Sequence, residues 1–216
     1  MVHKRLEEIE RLGNHTVLDF VNTIHHRYAP EVNDYLPSFE ELVGWHELAG
    51  IITVKTGREL RDQARLHPRR AAAAHGSAIA LRELLHGIFL AMVQGNQPSP
   101  RELSELNRTL NHLRPCCLLA TGDHSLVWRW HIDPAQPESL LGPLVESAAG
   151  LLTSEKLQRI KECPAPHGCG WLFLDTSRNG SRNWCSMRNC GNLAKVRRHR
   201  GKAAASHAAV RDDNPL

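Results

Sequence analysis

Apolar positions recur at helical spacing through most of the first 155 residues, and only a few stretches break that period. Leu6, Ile9 and Leu12 begin the chain as a short charged helix or a loose terminus. Residues 16–24 are apolar with Asp19 and Asn22 set among them, a pattern that fits helix and strand alike. Residues 25–37, with two prolines and no period, read as a loop. Ser38 and Glu41 then form a capping box, in which the hydroxyl takes an orphan amide and the carboxylate reaches back. Leu42, Trp45, Leu48 and Ala49 supply the apolar face of a helix over 39–49, and a second short helix follows over 57–66.

The longest helical signal spans 68–95. Proline occupies its first turn, alanine dominates, and Leu84, Leu85, Ile88, Phe89 and Met92 gather on one side, as expected of a core helix. Ser99 and Glu102 repeat the capping logic before Leu103, Leu106, Leu110 and Leu113, and Pro115 ends that helix. The period then shortens. Residues 116–120 and 125–132, either side of Thr121-Gly-Asp-His124, predict a β-hairpin with Trp128 and Trp130 sharing one face and packing on helices. A helix of small and aliphatic residues resumes over 140–153, and 154–162 lead on without a flexible linker.

Charge is unevenly distributed. Of the 27 Lys+Arg and 23 Asp+Glu, residues 163–216 hold nine and three, a balance of +6, and the rest of the chain is left at −2. Residues 178–202 contain eight cations and no acid, a localised field that attracts phosphate. No uninterrupted run approaches eighteen apolar residues, and the first residues lack the apolar stretch of a signal peptide, so a cytoplasmic protein without membrane contact is expected. In that reducing compartment six cysteines point to metal binding rather than to disulfides.

Four of the six lie in one window. Cys163 and Cys169 form a C-x5-C pair, Cys185 and Cys190 a C-x4-C pair, and the fifteen residues between allow four thiolates to converge on one tetrahedral Zn2+. His167 offers an alternative to Cys169 through a C-x3-H spacing. Residues 171–175 have strand character, Asn179-Gly180 signals a turn, and a helix is expected over about 188–200, so the plan is treble-clef-like: a knuckle, a hairpin, then a ligand pair at a helix start. The positive end of that helix favours the Cys190 thiolate. Four thiolates close the metal's coordination, and the chain contains no G-x-S-x-G, P-loop or H-E-x-x-H sequence, so no enzyme is expected. The fold class is α+β, a mostly helical N-terminal domain with a small hairpin followed by the zinc module.

The run from Cys169 to Asn192, CGWLFLDTSRNGSRNWCSMRNCGN, resembles the CGNR zinc finger. Leu18-Asp-Phe-Val-Asn-Thr23 and the helix around Ala80-Leu-Arg-Glu83 are similar to the ABATE domain that accompanies it in stress-induced transcriptional regulators. The resemblance implies a sensor-like domain over 1–155 and a DNA-binding finger over 156–203 with ligands Cys163, Cys169, Cys185 and Cys190, while residues 204–216, with few large apolar side chains, are expected to be a mobile tail. Leu193 stands where the family has its name-giving arginine. Arg182, Lys195, Arg197, Arg198 and Arg200 are the candidate DNA contacts, and Asp19, Asn22 and His25 the candidate ligand site. DNA, a small-molecule effector and a second copy of the chain are the expected partners, with a purely structural zinc site serving RNA or protein binding as the alternative.

Overall fold

The computed structural model describes residues 6–165 and 168–209, with side chains as far as Arg200. The helical part is built around α4 (Pro68–Val93), whose Leu81, Leu85, Ile88 and Phe89 are buried against the other helices. Around it pack α1 (Thr16–Val21), α2 (Phe39–Leu48), α3 (Val54–Leu66) and α5 (Pro100–Leu113), with α6 (Gly142–Leu152) on α1 and α5. By length and composition α4 could cross a membrane, but here its apolar side forms the core and it carries the buried Arg82.

The ambiguous apolar run is a helix of six residues, α1, with Val17, Leu18, Phe20 and Val21 buried. Asp19 caps the preceding turn by accepting from the Gly13 amide at 2.8 Å, while burial pushes its pKa up to about 6. Both predicted capping serines accept helix amides, and Ser99 with Glu102 completes the reciprocal box. His46 lies wholly inside, its ring nitrogens 2.8 Å and 3.1 Å from the carbonyls of Leu42 and Leu140, and burial takes its pKa down to about 4.

The proline-containing loop is more ordered than its sequence suggests. Strands β1 (Ile24–His25) and β2 (Asn33–Asp34) pair across it, and both carboxylate oxygens of Asp34 take 2.8 Å bonds from the buried Arg82 guanidinium. Arg82 also donates to Thr23, so the two similarity motifs, 18–23 and 80–83, meet at one buried cation. Fork-shaped pairing satisfies a charge that would otherwise be costly to bury.

The hairpin forms from β3 (Cys117–Thr121) and β4 (Leu126–Trp130), in antiparallel register with Cys117 opposite Trp130. Only its base packs on the helices as expected. Trp130 sits against Gly142 and donates to Glu146, whereas Trp128 is half exposed with the Arg114 guanidinium 4.6 Å above its ring.

A 3-10 turn over Glu155–Arg159 leads directly into β5 (Ile160–Glu162), which pairs antiparallel with β6 (Leu172–Leu174). This differs from the expected order. The strand around 172–174 turns back to a partner before the first cysteine pair, because 176–183 are polar and are organised by the Asp175 carboxylate instead of by a second strand. The last helix, α7 (Asn192–Ala209), runs beyond the predicted end near 200 into the stretch expected to be a tail, its alanines sustaining helical propensity. Residues 210–216 lie outside the described residues, as does His167, the alternative metal ligand.

Candidate metal centre and basic helix

Three short devices bring the four cysteines together. The first pair lies in the knuckle joining β5 to β6, closed by a 2.8 Å bond from the Cys163 amide to the Trp171 carbonyl. Gly168 and Gly170 turn this knuckle with φ of +76° and +67°, and a Cβ on either would collide with Tyr28 at 2.9 Å or less. Cys185 is fixed by Arg182, whose guanidinium donates to the Cys185, Trp184 and Leu12 carbonyls and lies 4.4 Å above the Phe173 ring. Cys190 is in the π-helical turn Met187–Gly191 that opens α7, capped where the Ser186 hydroxyl accepts from the Asn189 amide.

All four sulfurs lie within 4.8 Å of one another, and each cysteine is buried. Cys169 and Cys185 are 3.6 Å apart, Cys185 and Cys190 3.5 Å. A tetrahedron with Zn–S bonds of about 2.3 Å has edges of about 3.8 Å, close to these separations, so small shifts of the sulfurs complete the site around zinc. Among themselves the thiols share protons: bonds from the other three hold Cys163 far below its usual pKa, and Cys169 and Cys185 are driven up. A divalent cation removes that competition by binding all four as thiolates. Trp171, Phe173 and Ala165 pack around the sulfurs and keep water away.

The scaffold extends into the N-terminal segment. The outer edge of β6 exposes the amide and carbonyl of Leu172 and of Leu174. Asn22 takes both groups of Leu172, accepting at 2.9 Å and donating at 2.8 Å. Gly13 accepts from the Leu174 amide at 2.8 Å, and the Asn14 side chain donates to its carbonyl at 3.0 Å. A strand edge that would otherwise be open is thus satisfied by residues 150 or more positions away. Below it, Asp175 collects the Lys161 ammonium, the Ser177 amide and hydroxyl, and the Arg182 amide, bonds that hold its carboxyl well below the usual range.

Family models match both parts of the chain. The CGNR zinc finger model covers residues 159–203, and the ABATE model, described as "Putative stress-induced transcription regulator", covers 14–155. The chain belongs to the ABATE family. Cys163, Cys169, Cys185 and Cys190 form one structural zinc site within the CGNR finger. Neither family description names a catalytic activity, and no curated protein matches the chain.

The predicted DNA contacts separate into two groups. Lys195, Arg197, Arg198 and Arg200 are exposed on α7. Arg182 is not part of that surface, because carbonyls and the Phe173 ring engage its guanidinium and make it a support for Cys185. Arg188, in the same acid-free run, is exposed on the π-helical turn that precedes α7.

The candidate ligand residues separate too. Asp19 and Asn22 are committed to Gly13 and Leu172 in the ABATE–finger contact, whereas His25 lines a cavity of about 760 Å3. Glu10, His25 and Tyr35 form its N-terminal wall, and Arg188, Asn189 and Leu193 its finger wall, with Asn189 donating to Glu10 at 2.8 Å. Leu193, in place of the family's arginine, gives that cavity an apolar side chain at the start of α7.

Proposed function

We propose that this ABATE protein is a zinc-dependent DNA-binding transcriptional regulator, with α7 as its phosphate-contacting element and the helical domain as its regulatory part. The observation that carries this reading is the exposed set Lys195, Arg197, Arg198 and Arg200 on a helix whose start is anchored by the metal ligand Cys190. These cations spread over a broad helical face, which suits approach to a duplex backbone. The family description as a transcription regulator supports the same reading. The cavity between ABATE segment and finger is the place proposed for an effector, since a molecule held there touches residues that lead directly into α7.

Fluorescence anisotropy with duplex DNA at several salt concentrations tests the electrostatic part. Each neutralised phosphate adds about 0.9 to the negative log–log slope, so four contacts give a slope between about −3 and −4, and Lys195→Ala with Arg198→Ala lowers its magnitude by about 2. Cys185→Ser is expected to abolish binding by dismantling the base of α7. Salt-independent affinity, or preference for single-stranded RNA over duplex DNA, would sink the proposal.

A further inference from the structure

Past its metal-held start, α7 turns nearly all of its side chains to solvent. Of residues 193–200 only Ala194 is half-buried, and the others are exposed. At about 100° per residue, side chains three apart share a row on a helix, and this stretch carries three such rows. Lys195 and Arg198 form one, Arg197 and Arg200 another, and Val196 with His199 the third. The Val196–His199 row lies between the two cationic rows, about 100° from each, and Ala194 is on the side opposite it. The helix therefore has two charged flanks, a front row of one aliphatic and one imidazole side chain, and a back turned toward the body.

Two cationic flanks match the two phosphate strands that border a groove. A helix about 10–12 Å across fits the major groove of B-form DNA, about 12 Å wide, and no acid between 178 and 202 repels either strand. The front row then meets the base edges. Three residues rise about 4.5 Å, little more than one base-pair step of about 3.4 Å, so Val196 and His199 address neighbouring base pairs. The Val196 methyls suit the methyl group of thymine, and an imidazole N–H of His199 can donate to a purine N7. Asn192 is one turn earlier on the same side, but its amide donates to the Arg188 carbonyl at 3.0 Å, and Glu8 and Glu10 across the cavity disfavour phosphate beside that first turn. The major groove of A-form RNA is too narrow to admit the helix, and an acidic protein surface would engage one flank and leave the other unused.

On the basis of α7 as the DNA-contacting element, we propose that it enters the major groove with the Val196–His199 row toward the bases, and that these two side chains set the sequence bound. Lys195 with Arg198 and Arg197 with Arg200 hold the opposite phosphate strands and supply affinity without sequence preference.

Selection from a random duplex DNA pool by the full-length, zinc-loaded chain, followed by sequencing, is expected to enrich a core with two strongly preferred neighbouring base pairs. Val196→Ala and, separately, His199→Ala should each relax the preference at one of them by about tenfold. Both side chains are exposed, so zinc content and far-UV circular dichroism should stay as in the wild type. Lys195→Ala and Arg200→Ala should keep the enriched sequence, weaken binding to every duplex alike and each lower the magnitude of the salt slope by about 1. A wild type that binds duplex DNA without preference, or that keeps its full preference in both front-row variants, overturns the proposal and leaves α7 a phosphate-contacting helix. Preference relaxed by the flank variants instead, or tighter binding to duplex RNA than to DNA, overturns it as well. Absence of duplex binding sinks it together with the DNA-binding reading on which it rests.

Discussion

The two halves of this molecule are held by different forces, and one short strand belongs to both. The helical part buries more than two dozen apolar side chains around α4 and holds itself by packing. The finger's own cluster is seven residues, four of them the cysteines, so its cohesion is a metal's. β6 divides its side chains between them: Leu172 and Leu174 enter the helical core, while Phe173 and the preceding Trp171 face the sulfurs. Alternation along a strand therefore makes a packing domain and a metal domain share a wall. A finger built in this way is stapled by zinc at one face and docked by hydrophobic burial at the other.

Metal removal breaks the comparison most strongly. Structural zinc contributes on the order of 10 kcal/mol to small metal-held units, and little here replaces it. Chelation of the full chain should strip hydrogen-exchange protection from the knuckle and from 185–209, while the amides of α4 keep most of theirs. Equal loss in both regions would mean that the two cores unfold as one, and that the division just drawn is wrong.

Two side-chain deletions sharpen it at smaller scale. Leu85→Ala in the helical core and Phe173→Ala beside the sulfurs each empty a buried site and should cost about 2–5 kcal/mol in urea unfolding. They should differ in metal affinity. Phe173→Ala loosens the packing around the thiolates and the stacked Arg182 that fixes Cys185, so zinc passes more readily to a competing chelator dye, whereas Leu85→Ala leaves the competition unchanged. Identical zinc affinities would uncouple the metal from its apolar surround.

Much of this was legible in the sequence, for physical reasons that also mark where it stopped. Caps at Ser38 and Ser99, the apolar period of α4 and the cysteine spacing are local signals, and each was sufficient by itself. The run 171–175 looked like an ordinary strand, but its continuous apolar character reflects burial on both faces, which no period announces. Arg182 was indistinguishable from its basic neighbours because composition cannot tell a cation bonded to carbonyls from one facing solvent. The exposed half of the hairpin was hidden for the opposite reason: Leu119 and Trp128 have the residue types of a core without being in one.

Asn22 was legible as an oddity, a polar residue in an apolar run, and its role is the finest test of the shared wall. Its amide does for β6 what a third strand would do, receiving the Leu172 amide and donating to the Leu172 carbonyl, both buried. Asn22→Ala removes both partners at once and leaves a donor and an acceptor inside, at a cost of about 1–3 kcal/mol. Asn22→Leu refills the volume but restores neither bond, so the two variants should be similarly destabilised if hydrogen bonding dominates. The loss should be local: the Leu172 amide should exchange faster, while that of Phe173, which faces β5 across the ladder, is expected to change less. Zinc stoichiometry should stay at one, because the sulfurs lie on the strand's other face. Should Asn22→Leu match the wild type, the coupling of the two halves would rest on Leu172 and Leu174 alone, and the amide would be only a guest in their interface.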